Sequence, residues 1–166
     1  RVRTEEDLQS YLYQRDRIKQ YLEEVYVRQG EFEYCETDDN IAYYTQNSPN
    51  ERKIIYSSDG DLTQLVSQNT QVYNPSHRKL YSPNDIIVYE HEEILIENVR
   101  LVKMICGDSS DNIAGIRGMG LKRLLSLVPE LRNQPITVDQ VRDRCNQLFE
   151  QDKHNKLIAN LLTGVT

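Results

Sequence analysis

The chain has 166 residues, 38 % of them hydrophobic, which is enough for one compact domain or one compact piece of a larger protein. Its net charge of −6 argues against a general nucleic-acid-binding surface, unless acids converge on cations that offset them. No run is long and apolar enough to span a membrane, and none of these residues is expected to act as a secretory signal. Cys35, Cys106 and Cys145 show no metal-type spacing and read as reduced, mostly buried thiols of a cytoplasmic protein.

Thr4-Glu5-Glu6-Asp7 predicts a helix start, with Thr4 as N-cap and acids in the first turn. Leu8, Tyr11, Leu12, Ile18, Leu22 and Val25 follow at helical spacing, and Gln29-Gly30 predicts the stop. Phe32 to Cys35 is a short strand candidate that runs into Glu36-Thr37-Asp38-Asp39. A helix is expected over Asn40 to Gln46. Three acids in four residues at that junction exceed what a helix dipole needs.

Lys53 to Ser58 predicts a buried strand, with Asp59-Gly60-Asp61 at its end and a helix beginning at Leu62. Thr70 to Tyr73 is a further strand. Pro75-Ser76-His77-Arg78-Lys79 is a basic turn in which His77 is a weak candidate for phosphate contact. Glu92 to Cys106 reads as a helix with Leu95, Val99, Val102 and Cys106 on its apolar face. Thr137 and Gln140 form a capping box for a helix buried through Val141, Cys145, Leu148 and Phe149, and Asn155 to Leu162 is a last helix. The order gives an α/β layer followed by a helical region.

The central stretch is Gly107-Asp108-Ser109-Ser110-Asp111-Asn112, followed by Ile113-Ala114-Gly115-Ile116-Arg117-Gly118-Met119-Gly120 and the helix start Leu121-Lys122-Arg123. Three acidic clusters therefore stand in order: Glu36, Asp38 and Asp39; Asp59 and Asp61; Asp108 and Asp111. Brought to one sheet edge they would repel strongly, and multivalent cations would relieve that. Carboxylates without His or Cys favour Mg²⁺ or Mn²⁺, and a pair of such ions suits in-line phosphoryl displacement. The turn at Gly115, Arg117, Gly118 and Gly120 lets the backbone approach a phosphate, with Lys122 and Arg123 in the helix turn behind it. Each cluster also has a plain reading as a turn or a capped loop.

Taken together, these motifs resemble the 5′-nuclease superfamily: flap endonucleases, the 5′–3′ exonuclease domains of bacterial DNA polymerases, and phage 5′-nucleases. Glu36-x-Asp38-Asp39 is similar to its E-A-D-D motif, Ser58-Asp59-Gly60-Asp61 to S-x-D-x-D, and Gly107-Asp108 to Asn112 to G-D-x-x-D-N. Gly115 to Lys122 is similar to its helix–hairpin–helix, or helix–three-turn–helix, segment. Thr37 stands where many members have Ala, and Ala114 where many have Pro. The Ser57 to Leu65 stretch and the basic turn look most like the phage ribonuclease H branch, which removes RNA primers.

The resemblance implies a PIN-like α/β sheet flanked by helices, with residues 1–106 in the catalytic core and 107–166 in a helix–hairpin–helix DNA-binding region. It implies two-metal hydrolysis of phosphodiesters on flapped, tailed or nicked DNA or an RNA–DNA hybrid, by a monomer working beside replication proteins in the cytoplasm (the host's, for a phage protein). Glu36, Asp38, Asp39, Asp59, Asp61, Asp108 and Asp111 would be the catalytic metal ligands. K⁺ would bind backbone carbonyls near Ile113 to Ile116. The family's opening Asp-bearing strand and arch helix would lie upstream, with Arg1 and Arg3 at the arch's trailing end, and further helices downstream. Activity is then expected of the complete protein. A non-catalytic DNA-binding module of the same fold is the alternative, and an α/β protein with a structural cation is a third reading.

Overall fold

The computed structural model describes residues 4–151 and 155–165. Arg1 and Arg3 lie outside them. The chain divides between Tyr43 and Tyr44 into two compact units. Its composition of helices and short strands is mixed α/β, as expected.

In the first unit, α1 (Glu5–Glu24) starts with a complete capping box. Thr4 Oγ1 accepts from the Asp7 N–H at 3.1 Å, and Asp7 Oδ2 accepts from the Thr4 N–H at 3.0 Å. The helix stops earlier than Gly30. Tyr26 takes the left-handed conformation that glycine usually fills, at φ 59. The Val27 N–H then donates to Leu22 O and the Tyr26 N–H to Glu23 O, which closes the last turn. No residue of α1 is buried, so its apolar spacing marks a helix without a covered face in this unit. Phe32 to Cys35 is a turn rather than a strand, with Tyr34 left-handed at φ 62. The helix α2 (Thr37–Asn47) begins directly after Glu36.

The second unit is built on β1 (Lys53–Tyr56), β2 (Thr70–Asn74) and β3 (Lys79–Tyr81), in the order β1-β2-β3. β1 runs parallel to β2 with Ile55 opposite Val72, and β3 is antiparallel to β2. Of β1 only Ile55 is buried, so this strand is half-covered rather than fully inside. The connection from β1 to β2 is a 3-10 turn, Asp61–Leu65, where an α-helix was expected. Its Leu62 side chain still enters the core.

Sequence reading misses the next hairpin. β4 (Ile86–Tyr89) pairs antiparallel with β5 (Glu92–Leu95), and Tyr89 faces Glu92. The two linking residues, Glu90 and His91, both have positive φ, which matches the twist of a two-residue hairpin. Helix α3 is therefore only Val99–Cys106. The β-branched run Ile86-Ile87-Val88 and the short apolar run Ile94-Leu95-Ile96 carry the strand signal, which an apolar spacing of three and four masks.

Beyond α3, β6 (Gly107–Asp108) and β7 (Ile113–Ala114) form a minimal hairpin, followed by α4 (Leu121–Leu127). Helices α5 (Val138–Gln151) and α6 (Lys156–Gly164) pack on each other. The expected capping box at Thr137 and Gln140 is present, at 2.8 and 3.3 Å. The core runs through Ile94, Ile96, Val99 and Val102 to Leu124, Leu131, Val141 and Leu161. At its centre Asn98 is fully buried. Its amide donates to Leu131 O and Gln134 O, and its Oδ1 accepts from the Ile136 N–H, all at 2.7–2.8 Å.

The three cysteines are free thiols. Cys145 is buried and Cys106 half-buried, but Cys35 is exposed, contrary to expectation. Among the described residues no helix is long and apolar enough to cross a membrane.

Candidate metal centre

The second unit gathers three of the expected ligands. One carboxylate oxygen each from Asp61, Asp108 and Asp111 lies within 4.8 Å of the other two. Asp61 opens the 3-10 turn after β1. The loop before it is fixed by its own short contacts. The Ser57 N–H donates to Tyr73 O, the Asp59 N–H to Ser57 Oγ, and the Asp61 N–H to Asp59 Oδ1. Asp59 thus orients Asp61 through the backbone, and its own side chain is exposed.

Asp108 arrives from the other side, on β6. Its position depends on two glycines. Gly107 ends α3 with φ 83, and a Cβ there would lie 2.4 Å from Gly115 N. A Cβ on Gly115 would lie 2.2 Å from the carbonyl carbon and oxygen of Cys106. The two backbones touch, so neither position tolerates a side chain. The chain then turns through Ser109 to Asn112, where Asn112 is left-handed at φ 56 and Asp111 is exposed.

Lys103, on α3, ties Asp61 to Asp108, and no motif in the sequence singled it out. Its ammonium donates to Asp108 Oδ2 at 2.6 Å and to Asp61 Oδ1. Burial pulls the Lys103 pKa down, but the hydrogen bonds to Asp108 and Asp61 outweigh that and hold it above the ordinary lysine value. The Lys103 ammonium, with Ser110 donating from both N–H and Oγ, holds the Asp108 carboxyl well below its usual range. The available signal was a basic residue one helical turn before a Gly-Asp stop, on a helix that is otherwise largely apolar.

Two charged carboxylates within 4.8 Å of each other repel by at least roughly 3 kcal/mol at an effective dielectric near 20. One ammonium offsets part of that. An all-carboxylate donor set at this spacing fits a hard divalent cation.

Glu36, Asp38 and Asp39 belong to the first unit. Glu36 is exposed just before α2, and Asp38 and Asp39 stand in its first turn. Farther along, the 115–120 turn is tied to α3 by the Ile116 N–H, which donates to Ile105 O at 2.8 Å. Met119 and Leu121 are buried, whereas Arg117, Gly118, Gly120, Lys122 and Arg123 are exposed. The Arg123 guanidinium folds onto Gly118 O at 2.6 Å, and Asn160 donates to Arg117 O.

The second unit thus sets a carboxylate group beside a parallel strand pair. Residues 1–95 match the family model "5′-3′ exonuclease, N-terminal resolvase-like domain", and the chain belongs to that family. A 5′-3′ exonuclease of Mycoplasmopsis pulmonis is 32 % identical over 118 residues, covering 70 % of this chain and 39 % of that protein. The flap endonuclease of Escherichia phage T5 is 32 % identical over 88 residues, covering 52 % of this chain and 30 % of that protein. A phage T5 protein co-crystallised with metal ions superposes with a TM-score of 0.66 at 26 % identity, over 99 % of this chain and 59 % of that one. A T5 flap endonuclease complex with DNA and metal ions gives a TM-score of 0.60 at 26 % identity, over 98 % of this chain and 64 % of that one. The chain thus spans about two-fifths of the mycoplasmal relative's length.

Proposed function

We propose that the complete protein is a metal-dependent, structure-selective 5′-nuclease, a 5′–3′ exonuclease or flap endonuclease that removes flaps or RNA primers from DNA. The observation that carries this is the Asp61, Asp108 and Asp111 group in a chain of this family. Two Mg²⁺ or Mn²⁺ ions are the proposed cofactors. Asp61, Asp108 and Asp111 would hold them, with Asp59, Glu36, Asp38 and Asp39 as the remaining catalytic ligands. Such ions, when bound, supply Lewis-acid stabilisation and a more acidic water. The chain's own residues supply the rest. Lys103 orients Asp61 and Asp108, and Ser110 fixes the second oxygen of Asp108.

Residues 1–106 are the proposed catalytic part and 107–166 a helix–hairpin–helix region. Gly115, Arg117, Gly118 and Gly120 with Lys122 and Arg123 would contact the phosphate backbone of flapped, tailed or nicked DNA. The exposure of this turn and the DNA-bound T5 neighbour support that reading. Such contacts position the duplex without reading its sequence. Backbone carbonyls at Ile113 to Ile116 are the proposed K⁺ ligands. The protein would act as a monomer, in the cytoplasm, alongside replication proteins.

A DNA-binding module without activity is the competing reading. It is disfavoured because acids facing DNA weaken binding unless a cation joins them. The test is cleavage of a 5′-labelled flapped duplex in Mg²⁺, beside binding of the same duplex in Ca²⁺. Cutting in Mg²⁺ that vanishes with EDTA supports the nuclease. Tight binding with no cutting by the full-length protein supports the module.

A further inference from the structure

Beside the acidic group lies a cavity of about 470 Å³ that the reading above leaves without a role. Its volume falls within the range of small-ligand sites, roughly 300–1,000 Å³. Strands β3 and β4 form its walls through Tyr81, Ile87 and Tyr89. His77, from the turn before β3, and Lys79, the first residue of β3, also line it. His77 Nδ1 lies 3.1 Å from the Tyr81 hydroxyl, and the Lys79 ammonium sits 4.9 Å from the Tyr81 ring centroid. Asp61 and Lys103 line the same space, so the cavity shares Asp61 with the carboxylate group and borders the lysine that bonds it.

The lining specifies a ligand class. Aromatic and aliphatic walls suit a flat, uncharged ring. The Lys79 ammonium at one side, with the His77 imidazole beside it, suits an attached phosphate. Asp61 and Lys103 place that ligand within one side chain of the carboxylates. A nucleotide has each of these parts, and base–aromatic stacking tolerates any sequence.

We propose that this cavity takes the base of a nucleotide adjacent to the phosphate cut at the carboxylates, stacked on Tyr81, with His77 and Lys79 facing its phosphate. The inference rests on the nuclease reading. It makes Tyr81 a substrate-positioning residue that acts before any bond breaks.

The experiment measures Ca²⁺-supported binding of a tailed duplex carrying a single abasic nucleotide, moved one position at a time across the junction. Wild type, Tyr81→Leu and Tyr81→Phe are compared. Leucine keeps apolar volume without the ring, and phenylalanine keeps the ring without the hydroxyl. The wild type should lose on the order of tenfold in affinity at one abasic position. Tyr81→Leu should lose a similar factor on the intact duplex and become insensitive to that position. Tyr81→Phe should follow the wild type. A wild type indifferent to every abasic position overturns the proposal. So does a Tyr81→Leu loss that is equal on intact and abasic duplexes. Failure to bind any tailed duplex overturns the nuclease reading as well, which separates the two.

Discussion

Lys103 and Asp108 sit five residues apart, yet their charged atoms meet at 2.6 Å. Helix α3 must end between them for this to happen. Gly107 provides the stop with its left-handed φ, and Asp108 folds back along the helix end. The same ammonium reaches Asp61, 42 residues earlier in sequence. One lysine therefore joins the end of α3 to the end of β1.

Removing that ammonium leaves close carboxylates uncompensated. Lys103→Met should destabilise the metal-free protein by about 1–3 kcal/mol, since Asp61 is still partly solvated. That corresponds to roughly 2–12 °C in melting temperature for a chain of this size. Mg²⁺ or Ca²⁺ should recover more stability in the variant than in the wild type. Thermal denaturation with and without the cation checks both statements.

The two touching glycines behave differently from a third nearby. Gly115→Ala pushes a methyl into the Cys106 carbonyl and should cost at least about 3 kcal/mol. Gly60→Ala meets nothing within 4 Å and has an ordinary φ of −68. It should leave stability unchanged or raise it by up to about 1 kcal/mol. Urea denaturation of the two variants separates a required glycine from an incidental one.

Asn98 offers a core test away from the site. Its alanine variant leaves the buried Leu131 O and the half-buried Gln134 O and Ile136 N–H without this partner, at a cost of about 2–4 kcal/mol. Asn98→Asp keeps the shape but turns acceptors toward Leu131 O and Gln134 O. It should cost at least as much as alanine in chemical denaturation.

The Lys103–Asp108 pair also sets a pH window. Asp108 has a lower pKa folded than its ordinary 3.8, because Lys103 and Ser110 bond its charged form. Its stabilisation is complete above about pH 4 and fades as the pH falls further. Lys103 is raised above 10.5 despite its burial. Its contribution is complete below about pH 10 and fades above that. Melting temperatures of wild type and Asp108→Asn should therefore differ by a constant amount between about pH 5 and 9. The difference should begin to shrink below about pH 4 and go on shrinking as the pH falls toward the depressed folded pKa of Asp108.

The sequence made some of this legible and hid the rest for physical reasons. The capping boxes at Thr4 and Thr137 were readable because both partners lie within one turn. The strands Lys53 to Tyr56 and Thr70 to Asn74 were readable from β-branched runs. The β4–β5 hairpin was missed because Glu90-His91 reaches positive φ without the glycine or asparagine that usually signals it. The end of α1 was placed late for the same reason, since Tyr26 does the work expected of Gly30. Of the acidic motifs, carboxylate oxygens of Asp61, Asp108 and Asp111 come within 4.8 Å of one another, whereas Glu36, Asp38 and Asp39 belong to the other unit. Lys103 was invisible because a single lysine on a helix looks like any solvated cation. Its partners become its neighbours only when β1 and α3 pack.

The central claim is that Asp61, Asp108 and Asp111 form a divalent-cation site. The most direct measurement is Mn²⁺ binding followed by electron paramagnetic resonance, on wild type and on Asp61→Asn, Asp108→Asn and Asp111→Asn. The wild type should bind Mn²⁺, Mg²⁺ should compete, and each variant should lose affinity on the order of tenfold or more. Wild-type Mn²⁺ binding that persists unchanged in all three variants would contradict the account.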